Sequence, residues 1–185
     1  MEAELEALYA SSIIHVSHGV GGIIDFSQVL TYDYEDLSPN HTYYDRVKTN
    51  LSFLEKELRT LVTNLQRFLD AETNIINDER VYPEVYNVQV EFKTSPRFPF
   101  YTWMVRWSGH ETGTARNVYE ARIEPDFLDY DIKSIYIFPR DAEILKIKSS
   151  LEYEIDENIV VFQGKKGQKV KELELISWKY QSKIS

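Results

Sequence analysis

Between Asn40 and Pro83 the chain has neither proline nor glycine, and apolar residues recur through that run at Val47, Leu51, Leu54, Leu58, Leu61, Leu65 and Phe68. The steps alternate between four and three, the a/d spacing of a heptad, and Ile75 returns to the same seam after Glu72 interrupts it. Glu55 precedes Arg59 by one turn in the orientation that supports a helix. The spacing predicts one amphipathic helix from about Tyr44 to about Ile76, roughly 50 Å long at 1.5 Å per residue. A compact domain made from the C-terminal residues has a radius of gyration of only about 13 to 14 Å, so such a helix outruns it. Val62, Leu69 and Ile76 widen the apolar stripe in the second half, which suits packing on a sheet, whereas the narrow first half suits a helical partner.

After Asp78 the helical spacing gives way to alternation. Tyr86, Val88, Val90 and Phe92 fall on one strand face, with Asn87, Gln89, Glu91 and Lys93 on the other. Tyr101, Trp103, Val105 and Trp107 form an aromatic face, and Gly109 to Gly113 reads as the turn into a strand from about Arg116 to Ile123. Further strands are expected over 132–138, 144–148, 151–155, 159–163 and 170–178, with Gly164 to Gly167 closing the last hairpin. No linking segment among them is long enough for a helical crossover, so an antiparallel arrangement follows. Ahead of the helix, residues 2–10 read as a short helix, and Ile13 to Tyr34 as a hairpin turning at His18 to Gly22. The expected fold class is α+β, one long helix on a C-terminal antiparallel β-sandwich or partly open barrel. Its divisions are an N-terminal segment over 1–37, the helix over 38–80 and the β domain over 81–185.

Charge narrows the partners. A formal net charge of −9 disfavours nucleic acid and anionic membrane surfaces, both of which are bound by basic residues that displace counterions. The chain has no cysteine, which excludes disulfides and thiolate metal sites. Glu2, Glu4 and Glu6 are the wrong charge for a secretory signal. Residues 8–30 are broken by serines, histidines and glycines, short of the roughly 20 apolar residues of a membrane span. A cytoplasmic protein is expected, with no membrane partner.

Candidate chemistry is sparse. His15 and His18 would share a face only on a helix, and their β-branched surroundings favour a strand, where a step of three sends them to opposite sides. Trp103, Trp107, Tyr101 and Phe100, with Arg97 and Arg106 nearby, have the composition of a base-stacking platform, although aromatics on one strand face more often build a core. Gln89, Glu91, Lys93, Arg106, Glu120, Arg122, Glu124, Glu152, Glu154, Glu172 and Glu174 alternate along the strands. Enclosed, those acids would hold a divalent cation and the basic residues would grip phosphate. This alternation resembles the triphosphate tunnel enzymes, which implies a metal-dependent phosphohydrolase. That family carries paired glutamates and a lysine in its first strand, whereas Gln89, Glu91 and Lys93 follow a helix and supply one glutamate. Glu91-Phe92-Lys93 also matches the acid-x-lysine fragment of metal-dependent nucleases, without an upstream aspartate at the required spacing.

Two functions follow. The first is a non-enzymatic interaction or assembly protein without cofactor, binding a second copy or a protein partner as a coiled coil through the seam Val47, Leu51, Leu54, Leu58 and Leu61. The alternative is a phosphohydrolase using magnesium or manganese on Glu91, Lys93, Glu152, Glu154, Glu172 and Glu174.

Overall fold

The computed structural model describes residues 4–112 and 116–180. The chain begins with two fourteen-residue strands, β1 (Leu5–His18) and β2 (Ile23–Asp36), joined by a turn in which Gly21 and Gly22 take φ of 79° and 76°. Two helices follow, α1 (Thr42–Thr49) and α2 (Leu51–Ala71). The remaining strands are β3 (Thr73–Ile76), β4 (Glu79–Val81), β5 (Glu84–Phe92), β6 (Pro99–His110), β7 (Asn117–Arg122), β8 (Asp126–Phe127) and β9 (Asp131–Ile137). They continue with β10 (Ala142–Lys148), β11 (Glu152–Asp156), β12 (Ile159–Gly164), β13 (Lys169–Val170) and β14 (Leu173–Tyr180). Among the described residues, no helix is long and apolar enough to cross a membrane.

A seven-stranded sheet runs in the order β11-β12-β9-β1-β2-β6-β5, and a five-stranded sheet in the order β10-β14-β7-β3-β4. The large sheet is mixed, because β1 and β9 pair in parallel from Tyr9 with Asp131 to His15 with Ile137. The N-terminal hairpin thus lies at the centre of a sheet whose other strands all follow the two helices in sequence.

The single long helix is overturned, and the α+β class and the coiled coil with it. The molecule is mostly β, and two helices of eight and 21 residues stand where one was expected. The break comes at Asn50, whose φ of −123° and ψ of 93° are extended and whose Oδ1 accepts a hydrogen bond from Phe53 N at 3.0 Å. An asparagine that caps the helix after it ends the helix before it. The second end comes at Glu72, which is also extended, with φ −75° and ψ 156°. Thr73 to Ile76, three of them β-branched, form β3 and pair with β7. Asn77 and Asp78 take positive φ of 51° and 68°, as a two-residue hairpin turn requires, and carry the chain into β4.

The helix expected over 2–10 is instead part of β1 from Leu5 onward, and its first residues lie outside the described ones. Gly109 lies inside β6 rather than at a turn, and Gly113 falls outside the described residues. At β5 a bulge between Val85 and Asn87 leaves Tyr86 exposed, so Val85, Val88 and Val90 point inward.

The two sheets meet face to face over one stretch. Phe26 of β2 stacks on Trp107 of β6 with ring centroids 5.0 Å apart, touches Tyr119 of β7 at 4.9 Å and meets Trp178 of β14 edge-on at 6.3 Å. Gly109 is required there, since a Cβ at that position would lie 2.8 Å from the Cβ of Ile76. Over the rest of its inner face the large sheet is covered by α2, whose Leu54, Leu58, Leu61, Val62, Leu65 and Leu69 pack against the core.

Candidate functional site

Where the cover changes from the second sheet to α2, a gap of about 750 Å³ opens. Its origin lies in side-chain size. The inward positions of β1 and β9 carry Ala10, Ser12, Ile132 and Ser134, and Ala121 of β7 lines the gap as well. Ser12 and Ser134 stand directly opposite each other, and Ser12 Oγ donates to Ser134 Oγ at 2.9 Å. Neither fills the volume that Ile14 and Val16 fill further along the same strand.

Aromatic rings make up much of the wall: Tyr32 and Tyr34 of β2, Trp103 and Trp107 of β6, Tyr119 of β7, Tyr130, and Tyr136 of β9. Tyr32 meets both Trp103 and Tyr130 edge-on, each at 5.5 Å between centroids. Burial pushes the Tyr32 phenol far above its ordinary range, with Tyr130 beside it adding to the effect, and pushes Tyr34 up to about 12. These hydroxyls therefore stay protonated at neutral pH. Trp103 is fixed by a hydrogen bond from its Nε1 to the Leu61 carbonyl of α2 at 3.3 Å.

The helix side is held in place by polar contacts outside the gap. Gln66 donates through Nε2 to the Pro83 carbonyl and accepts at Oε1 from Val85 N, both at 2.9 Å. Tyr101 donates to Tyr43 at 2.8 Å and Tyr43 to Glu57 at 3.0 Å, which ties α1, α2 and β6 together. The helix is thereby propped on the sheet at its flanks.

Polar side chains also line the gap. Asn74 of β3 is 2% exposed; its Oδ1 accepts from Tyr119 Oη at 2.7 Å, and its amide lies beside the Glu72 carboxyl. Trp107 Nε1 is buried, with no hydrogen-bond partner among the described residues. Gln28 also lines the gap, from a position that in a purely apolar core would carry a hydrophobic residue. Glu72, at the end of α2, has its carboxyl raised above the ordinary value near 4.5 by burial, an effect partly offset by the neighbouring Asn74 amide.

The residues singled out from the sequence lie elsewhere. Val47 is buried, Leu54, Leu58 and Leu61 pack on the chain's own sheet, and Leu51 is 70% exposed. Glu91 and Lys93 lie at or just past the end of β5, Glu152 and Glu154 on β11, at opposite edges of the large sheet. That is six strand spacings, roughly 29 Å along the sheet. Lys93 is taken by Asp33 at 2.6 Å. Glu172 is exposed just before β14, and Glu174, in the other sheet, accepts from Ser150 N and Oγ at 3.2 and 3.1 Å. The six do not converge, and no set of three His, Asp or Glu side chains among the described residues is placed to hold a metal.

Tyr101, Trp103 and Trp107 are buried rather than displayed, and Arg106, on the opposite face, pairs with Glu84 at 3.0 Å. His18 pairs with Glu111 at 3.3 Å and stacks on Tyr180. A second and wider groove, of about 920 Å³, runs past Tyr82, Tyr86, Glu84 and Arg106 on the outside of the molecule. Four of its charged or titratable side chains pair within it, Glu84 with Arg106 and Glu79 with His110, and Arg80 lies over the Tyr82 ring.

No family profile matches the chain, and no curated protein matches it. Among solved structures, a similar one is "Capitella teleta AChBP in complex with lobeline", at 9% identity and a TM-score of 0.32, covering 97% of this chain and 85% of that one. A likeness this distant carries no argument about fold or function.

Proposed function

We propose that this protein is a non-enzymatic binding protein that holds a small organic molecule between α2 and the large sheet. One observation carries the reading: an aromatic-walled gap of about 750 Å³ that a few polar side chains, Gln28, Glu72 and Asn74 among them, also line. Pockets for small ligands fall in the range of about 300–1,000 Å³, largely apolar with a few polar groups. The reading keeps the cytoplasmic location suggested by a chain without cysteine, which fractionation of cells expressing it checks.

Two of the chain's three tryptophans, Trp103 and Trp107, line the gap, so their emission reports occupancy. Screening uncharged aromatic probes should find saturable quenching at one site per chain. Ser12→Phe, which fills the gap from β1, should abolish it. Quenching that persists unchanged in the filled variant would sink the reading.

Self-association through the helical seam has less to support it, because most of that seam packs on the chain's own core. The large apolar side chains that α2 exposes, Leu51 and Phe68, lie about 25 Å apart along it at 1.5 Å per residue, too far to form one patch. Sedimentation of the wild type and of a Leu51→Glu, Phe68→Glu double variant separates the readings. Self-association by this route requires the double variant to sediment more slowly.

A further inference from the structure

We propose that the ligand of this gap is a protonated organic amine, its nitrogen held by Glu72 at the end of α2 and its body against the aromatic wall. The inference rests on the gap being a binding site, as argued above, and specifies the charge of what enters.

Three features agree on a cation. The first is the carboxylate itself. Glu72 lines the gap, and among the described residues no lysine, arginine or histidine lies within ion-pair distance of it. The groups facing it are Asn74 of β3 and the phenols of Tyr32, Tyr119 and Tyr136, all neutral at physiological pH. Lys133 and Asp126 also line the gap, yet the carboxyl of Glu72 responds only to burial and to Asn74.

The second is the helix. Glu72 is the C-cap of α2, and the last turn of that helix contains no basic residue. The negative pole of a 21-residue helix is thus uncompensated by its own sequence, where a cation is the favoured neighbour. The carboxylate adds to that pole.

The third is the wall. Tyr32, Tyr34, Tyr130, Trp103 and Trp107 present ring systems whose faces attract an ammonium group, most strongly when it is desolvated. An amine N–H would give Glu72 a cationic donor in addition to the neutral Asn74 amide beside it. A carboxylate or phosphate ligand would meet like charge at Glu72 and at the helix's negative pole, with Lys133 the one basic residue among the described lining.

The test uses three probes with the same phenylalkyl body: 4-phenylbutylamine, 4-phenyl-1-butanol and 5-phenylpentanoate, titrated calorimetrically into the full chain. The amine should bind ten- to a hundredfold tighter than the alcohol, the span expected of a charge-assisted hydrogen bond, and the acid should bind most weakly. Glu72→Gln should bring amine and alcohol to equal affinity without weakening the alcohol, while Glu72→Asp should keep part of the preference. Equal affinities in the wild type, or a preference that survives Glu72→Gln, would overturn the amine and leave the pocket standing. Failure of all three to bind the wild type would overturn the pocket reading and the amine together.

Discussion

The inner face of the large sheet is covered in two ways, and the contrast locates the site. Toward the Gly19–Gly22 turn, the second sheet lies against it, and Ile14, Val16, Ile24, Phe26 and Trp107 meet Ile76, Tyr119, Ile176 and Trp178 in a packed core. Toward the other end the cover is α2, a curved surface on a twisted sheet, and the residues beneath its last turns include Ala10, Ser12 and Ser134. Sheet against sheet matches shape along its length. A helix on a sheet touches along a stripe, and small side chains to one side of that stripe leave room.

If the contrast is real, the packed half should be intolerant and the helix-covered half forgiving. The largest effect should come from Trp178→Ala, which removes a 0% exposed side chain and should cost about 3–5 kcal/mol in urea denaturation. Next is Gly109→Ala, whose Cβ would press on Ile76; overpacking of this kind costs about 1–3 kcal/mol. Asn50→Ala removes the cap at the break between the helices and should cost about 1 kcal/mol, whereas continuous helix through residue 50 would make alanine neutral or stabilising. The same denaturation series reads all three. A Trp178→Ala cost no larger than that of a gap-lining truncation such as Leu65→Ala would erase the contrast.

The smallest effect is a pH slope. Glu72 has its carboxyl raised in the fold by burial, so the folded state binds the proton more tightly than the unfolded one. Its contribution is fully present below the ordinary value near 4.5 and is lost as pH rises through the higher folded value. Glu72→Gln should flatten stability over that window and leave the variant slightly more stable than the wild type at neutral pH. A slope unchanged by the substitution would mean that this carboxyl is not desolvated.

Much of this architecture could be read from local pattern, but the site could not. Alternation from Val88 to Phe92 and from Tyr101 to Trp107 follows from the period-two geometry of strands, and neighbouring residues suffice to see it. The helix ends are hidden in the apolar spacing because Ile75 continues the heptad by coincidence, while Asn50 and Asn77-Asp78, a cap and a positive-φ turn, carry the true punctuation. Leu5 to Ala10 has helix-forming composition, yet it becomes strand where β2 and β9 flank β1, a long-range pairing that outweighs propensity. The gap depends on Ser12 meeting Ser134, 122 residues away, and on Ala121 from the other sheet. One trace was available: small and polar residues at inward positions of β1 and β2, Ala10, Ser12 and Gln28, where a closed core would carry large apolar ones.

The most direct test is a crystal structure of the protein soaked with 4-phenylbutylamine. The account predicts α2 standing off β1 and β9 as described, with density for one molecule between Ser12, Trp103 and Glu72 and its nitrogen against the carboxylate. Leu65 and Leu69 collapsed onto Ala10 and Ser12, with no space between helix and sheet, would contradict it.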